Sequence, residues 1–161
     1  QVAREVFVQG MNNADHQKHR LKEDVNVETD DLMNIDIQGG KITEQGVRMN
    51  TSVALNYIHV WLQGQGVVVM NNLMEATATA EITRSQLWQW LRHSVILDNG
   101  QAFTPDMYKA IRAEELQRQG GIGKGRLQQA SEILDYLVLS KEMEEFLTLP
   151  AYKLLDNPQV N

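Results

Sequence analysis

Between residues 127 and 138, the apolar side chains Leu127, Ala130, Ile133, Leu134, Leu137 and Val138 recur at helical spacings of three and four. They form the cleanest amphipathic pattern in the chain, and a stripe of this width is stable only when pressed against other elements. The chain is therefore committed to helix-on-helix packing, and the question is which other segments supply the partners.

Two further helices announce themselves by their starts. Thr43 is a good N-cap, and Val47, Thr51, Ala54, Ile58 and Trp61 mark one face of a helix that runs to about Gln63, where Gly64-Gln65-Gly66 stops it. Thr104-Pro105-Asp106 combines a hydroxyl cap, a proline at the first helical position and an acid at the positive end of the dipole. That helix has Met107, Ala110 and Ile111 inward and ends by Gln119, before Gly120-Gly121. Between these two, Val67 to Met70 reads as an extended, buried piece. A helix beginning near Thr77 or Thr79 then carries Leu87, Trp88, Trp90 and Leu91 to about His93, followed by a turn at Asp98-Asn99-Gly100. Met143, Phe146, Leu147 and Leu149 open a last helix that Pro150 kinks or restarts before Tyr152 and Leu154.

The front of the chain is different. Val2, Val6 and Phe7 predict a short helix over Val2 to Met11, too short to stand without a partner. From Asn12 to Asp31 the chain is polar and rich in charge, with Val25 and Val27 alternating in an extended piece, and Thr29-Asp30-Asp31 starts a helix through Leu32 and Met33 that Gly39-Gly40 ends. The expected fold is mainly α: a five- to six-helix C-terminal bundle over residues 41–161, preceded by a helix and an extended arm over residues 1–40.

Composition removes several functional classes. With 161 residues, 42% hydrophobic and 22% charged, the chain resembles an ordinary globular domain. Its longest apolar runs, Val67 to Met70 and Tyr136 to Leu139, fall far short of the roughly 18 residues a membrane span requires, and nothing at Gln1 resembles a signal peptide. A net charge of −6 with scattered basic residues lacks the concentrated footprint of a nucleic-acid surface. The absence of cysteine removes disulfides, thiolate metal sites and a cysteine nucleophile.

Local motifs are weak. His16 and His19 have a spacing two metal ligands could use, but no third ligand is near, and Lys18 and Arg20 repel a cation, so a solvated turn is the simpler reading. "GGIGKGR", residues 120–126, lacks the spacing and the Ser or Thr of a phosphate loop and reads as a helix-to-helix connection. Glu75 and Glu81 could pair for acid-base work, although Glu81 is equally a first-turn acid of the helix near Thr77. Trp61, Trp88 and Trp90 sit at packing positions.

Longer stretches say more. "ITEQGVRMNTSVALNYIHVWLQGQG" followed by "NNLMEATATAEITRSQLWQW" resembles the C-terminal region of malate synthase. The likeness extends to "VAREVF" as the last helix of that family's barrel, "KEDVNVETDDLM" as its crossing arm, and "GRLQQASEILDYLVLSKEMEEFLTLPAYKLL" as its closing helices. The resemblance implies a helical plug over a (β/α)8 barrel, in cis or in trans. The barrel carries glyoxylate, magnesium with its carboxylate ligands, and an arginine that stabilises the enolate. The plug supplies an aspartate in a Leu-Met-Glu-Asp turn that takes a proton from the methyl of acetyl-CoA.

Here that turn reads Leu73-Met74-Glu75-Ala76, so the base position holds a methyl group, and Val67, Val69 and Thr77 also depart from the family's residues. The resemblance thus implies a substrate-facing segment at Asn72, Leu73 and Met74, a lost base at Ala76, and Glu75 as an unfavoured substitute. No metal or cofactor is implied for this chain itself; magnesium and acetyl-CoA belong to the complete enzyme. Three readings follow: a plug domain of a malate synthase-like protein, silent alone; a non-catalytic module that binds a protein or a CoA-like ligand; and an enzyme using Glu75. The segment Pro158-Gln159-Val160-Asn161 is not a peroxisomal tripeptide signal, which leaves the cytoplasm as the expected compartment.

Overall fold

The computed structural model describes residues 1–12, 14–34 and 37–156, so the Pro158 to Asn161 segment lies outside the described residues. The chain forms two units, Gln1–Gly40 and Lys41–Asn161.

In the first unit, α1 (Val2–Met11) ends at Asn12 in the left-handed conformation, and α2 (Thr29–Met33) is capped by Glu28, whose backbone N–H donates to the Asp31 carboxylate at 3.0 Å. The second helix stops at Asn34, well before the Gly39-Gly40 turn expected to end it, and Val25 and Val27 lie in no strand. Neither helix buries a single residue, and Val2, Val6 and Phe7 are 74%, 64% and 62% exposed.

The second unit is mainly helical and is built around α3 (Glu44–Trp61), which packs against α4 (Thr77–Arg92), α5 (Pro105–Arg118) and α6 (Leu127–Leu139). The Thr43 hydroxyl accepts the Gly46 N–H at 2.9 Å, the cap its sequence promised. Besides the expected face, Val53, Leu55 and Tyr57 of α3 are buried, because helices cover it on several sides. The Thr104 hydroxyl likewise caps α5 at the Met107 N–H. The inner face of α5 is Tyr108, Ile111, Glu115 and Leu116, however; Ala110 faces outward, one step round the helix from the expected stripe. All six apolar positions that open the sequence argument are buried on α6. The core is the space these four helices enclose, closed by Leu147 and by Ala151 of α7 (Thr148–Asp156).

Two expectations are corrected here. The last helix does not begin near Met143: residues 140–147 are irregular and α7 starts at Thr148. The physical reason is that the Leu147 N–H is taken by the Glu81 carboxylate at 2.8 Å, a tertiary bond competing with a helical one. Pro150 then falls in the first turn of α7, where its missing N–H would have had no intrahelical partner. The second correction concerns Val67–Met70, which is a strand, β1, but not a buried one: Val67 and Val69 are 47% and 75% exposed. No helix among the described residues is long and apolar enough to cross a membrane.

Candidate functional site

The segment singled out by its resemblance forms a β-hairpin. β1 (Val67–Met70) pairs antiparallel with β2 (Leu73–Ala76) in the register Val67↔Ala76, Val68↔Glu75, Val69↔Met74 and Met70↔Leu73. The turn proper is Asn71-Asn72, at φ values of 50° and 63°. Two successive left-handed residues make the tight connection whose twist matches that of paired strands, and asparagine tolerates this conformation better than most residues. Leu73 to Ala76, read from sequence as a turn, is therefore a strand that runs straight into α4.

The pleat decides where the side chains go. Glu75 shares a face with Val68, which packs on the core, and both are half-buried. Ala76 shares the opposite face with Val67, Val69 and Met74. Val69 and Met74 are 75% and 73% exposed, and Leu73, beside the Asn72 turn residue, is 62% exposed. The predicted substrate-facing residues Asn72, Leu73 and Met74 thus lie together at an exposed tip. Glu75 and Ala76 lie together in sequence but leave the strand in opposite directions.

Ala76 is also the N-cap of α4. Its backbone is extended, at φ −123° and ψ −177°, the geometry a capping residue adopts, yet its methyl group caps nothing and the first turn of α4 contains no acid. The positive end of this helix is consequently uncompensated by any side chain at the cap. Below it, the buried phenol of Tyr57 on α3 bridges the two ends of the hairpin, with its oxygen 3.1 Å from the Gly66 carbonyl and 2.6 Å from the Thr77 hydroxyl.

Glu81 lies in the second turn of α4 and serves as a tertiary clamp instead of a dipole partner or half of a catalytic pair. One carboxylate oxygen accepts the Leu147 N–H, and the other accepts from Arg84 Nε at 2.7 Å. The Arg84 guanidinium, only 1% exposed, also donates to the Glu145 carbonyl at 3.1 Å, so the pair ties α4 to the segment entering α7. The sequence offered Glu81 only as a first-turn acid or a partner of Glu75 and gave no sign of Arg84, because the tertiary partners of both are more than sixty positions away.

The remaining motifs resolve structurally. His16 and His19 are exposed with ring centroids 5.1 Å apart, and among the described residues no three His, Asp or Glu side chains gather to share a metal ion. The glycine-rich 120–126 loop joins α5 to α6. Lys124 Nζ donates to the Gln119 carbonyl at 2.9 Å, and Gly125, at φ +53°, lies so close to α3 that a Cβ there would stand 2.7 Å from His59 Cε1. Burial, with Lys124 nearby, pushes the His59 imidazole below its ordinary pKa. Trp88 Nε1 donates to the Ser140 carbonyl at 2.9 Å, Trp61 meets Tyr152 edge-on, and Trp90 packs on the core.

Residues 41–155 match the family described as "Malate synthase, C-terminal". The chain belongs to the malate synthase family. It is 40% identical over 146 residues to malate synthase of Streptomyces clavuligerus, an alignment covering 87% of this chain and 27% of that protein. Malate synthase A of Escherichia coli (strain K12) is 38% identical over 122 residues, covering 72% and 23%. Malate synthase of Myxococcus xanthus (strain DK1622) is 35% identical over 162 residues, covering 97% and 29%. The chain therefore corresponds to the malate synthase C-terminal domain and spans between 23% and 29% of the length of these relatives.

Proposed function

We propose that this malate synthase domain acts as a lid on a (β/α)8 barrel, in cis or in trans, and presents its hairpin to acetyl-CoA held there. The reaction so served would join acetyl-CoA to glyoxylate. A base takes a methyl proton, the resulting carbanion adds to the aldehyde carbon as the carbonyl π bond opens to an alkoxide that takes up a proton, and water cleaves the thioester to release malate and CoA. The observation that carries this reading is the hairpin, which exposes Val69, Leu73 and Met74 at its tip and ends in Ala76 at a helix N-terminus. Apolar side chains at this exposure need a surface to cover them.

We further propose that the domain cannot itself take the proton. Ala76 offers no acceptor, and Glu75 lies on the other face of the strand, against the core side. Proton transfer demands hydrogen-bond reach, and displacements of about 1 Å can already cost on the order of a hundredfold in rate.

The test is deuterium exchange into the methyl of acetyl-CoA, followed by mass spectrometry, with the chain mixed with a malate synthase barrel lacking its own C-terminal domain. Exchange with Ala76→Asp but not with the unaltered chain supports a lid whose base is missing. Tight acetyl-CoA binding without exchange in either form favours a second reading, a binding module that kept the fold; the altered residues Val67, Val69, Ala76 and Thr77 around the site are its motivation. Exchange by the unaltered chain that vanishes in Glu75→Gln would refute the silent-lid proposal.

A further inference from the structure

We infer that Tyr57 is the positioning residue of the hairpin, and that it works through a directed chain of two hydrogen bonds that requires the hydroxyl of Thr77. A phenol has one proton to donate, and the Gly66 carbonyl can only accept. With the Tyr57 oxygen 3.1 Å from that carbonyl, the phenolic proton is committed to Gly66. The contact at 2.6 Å to Thr77 must then run the other way, the threonine hydroxyl donating to the Tyr57 oxygen. The order is Thr77 to Tyr57 to Gly66.

The position of this chain gives it a mechanical meaning. Gly66 is the residue immediately before β1, and Thr77 is the residue immediately after β2. Since Val67 pairs with Ala76, the two anchored residues are the next pair outward across the hairpin's open end. Nothing in the two-residue Asn71-Asn72 turn holds that end closed, and a lone two-stranded hairpin is marginal in water. Tyr57 is 0% exposed and sits on α3, the helix against which α4, α5 and α6 all pack. It therefore fixes both strands to the rigid core at the base and leaves the tip free, setting the pitch at which Ala76 and Met74 leave the surface. Thr77 is also the first residue of α4, so the same contact sets where that helix begins.

This inference adds to the lid reading the residue that aims the hairpin, but its test needs no barrel. Hydrogen exchange by mass spectrometry on the 161-residue chain compares peptides spanning residues 64–78 with peptides from α6. Thr77→Val keeps the branched shape and removes the donor; Thr77→Ser restores it; Tyr57→Phe removes the hub. Exchange of the hairpin amides should quicken about three- to tenfold in Thr77→Val and Tyr57→Phe, the range set by one net hydrogen bond, with α6 unchanged and Thr77→Ser close to the parent. Equal hairpin protection in Thr77→Val and the parent would overturn the inference, as would an acceleration shared equally by α6. Failure of the chain to dock on a barrel would count against the lid reading alone.

Discussion

The uncapped start of α4 leads to a quantitative prediction about Ala76→Asp. The backbone at this position already has the extended dihedrals of an N-cap, so an aspartate there need not move the chain to accept the N–H of Ala78 or Thr79. Replacing alanine by a capping side chain is worth about 1 kcal/mol. The negative charge adds about 0.3–1 kcal/mol, undiluted here because the first turn of α4 contains no other acid. The sum, about 1.5 kcal/mol, corresponds to a rise in Tm of roughly 4–8 °C for a domain of this size. Ala76→Asn separates the two parts, since it caps without charge and should recover the hydrogen-bond share alone. Thermal and urea denaturation by circular dichroism, at low and high salt, measure both. The aspartate variant should lose part of its advantage over asparagine at high salt. A variant no more stable than the parent would refute the cap geometry, and with it the idea that a carboxylate at this position is held by helix amides. The outcome bears on function as well, because a base fixed in this way would be preorganised without being bonded to another side chain.

Other consequences can be checked on the same chain. Glu81→Gln leaves the Arg84 guanidinium, 1% exposed, without its carboxylate and should destabilise the domain by about 3 kcal/mol, with faster amide exchange over residues 145–156. Gly125→Ala puts a Cβ 2.7 Å from His59 Cε1 at a positive φ and should cost roughly 1–3 kcal/mol by urea unfolding; a neutral result would mean the 120–126 loop can withdraw from α3. His59 has its pKa lowered by burial and by Lys124, so the unfolded chain takes up a proton before the folded one does. Its contribution to stability is complete above the unfolded value near 6.5 and declines as pH falls from there through the folded value. A stability profile over that window should flatten in His59→Gln, and an unchanged slope would assign the dependence to other groups.

Several of these sites were legible in the sequence and others were not, for reasons that differ by residue. Thr43 and Thr104 each accept a backbone N–H three positions away, Pro105 occupies the first position of its helix, and the stripe from Leu127 to Val138 reports a local period. The family could also be read, because "NNLMEATATAEITRSQLWQW" is long enough to carry a resemblance by itself. By contrast, Glu81 looked like a helix-start acid because its true partner, the Leu147 N–H, is 66 residues distant. The same distant bond hid the late start of α7.

What the sequence determined by itself was therefore the helical class, the starts of α3 and α5, and the family. Tertiary structure decided that Leu73 to Ala76 is a strand, that Glu75 and Ala76 diverge, and that Tyr57 holds the hairpin's base. The physical reason lies in what each feature needs for its stability. A cap or an amphipathic period is satisfied within a turn or two of the chain, whereas a four-residue strand is extended and uncommitted until another strand fixes its register. Only that register assigns its side chains to one face or the other, and only the burial of Tyr57 on α3 sets where the paired strands sit.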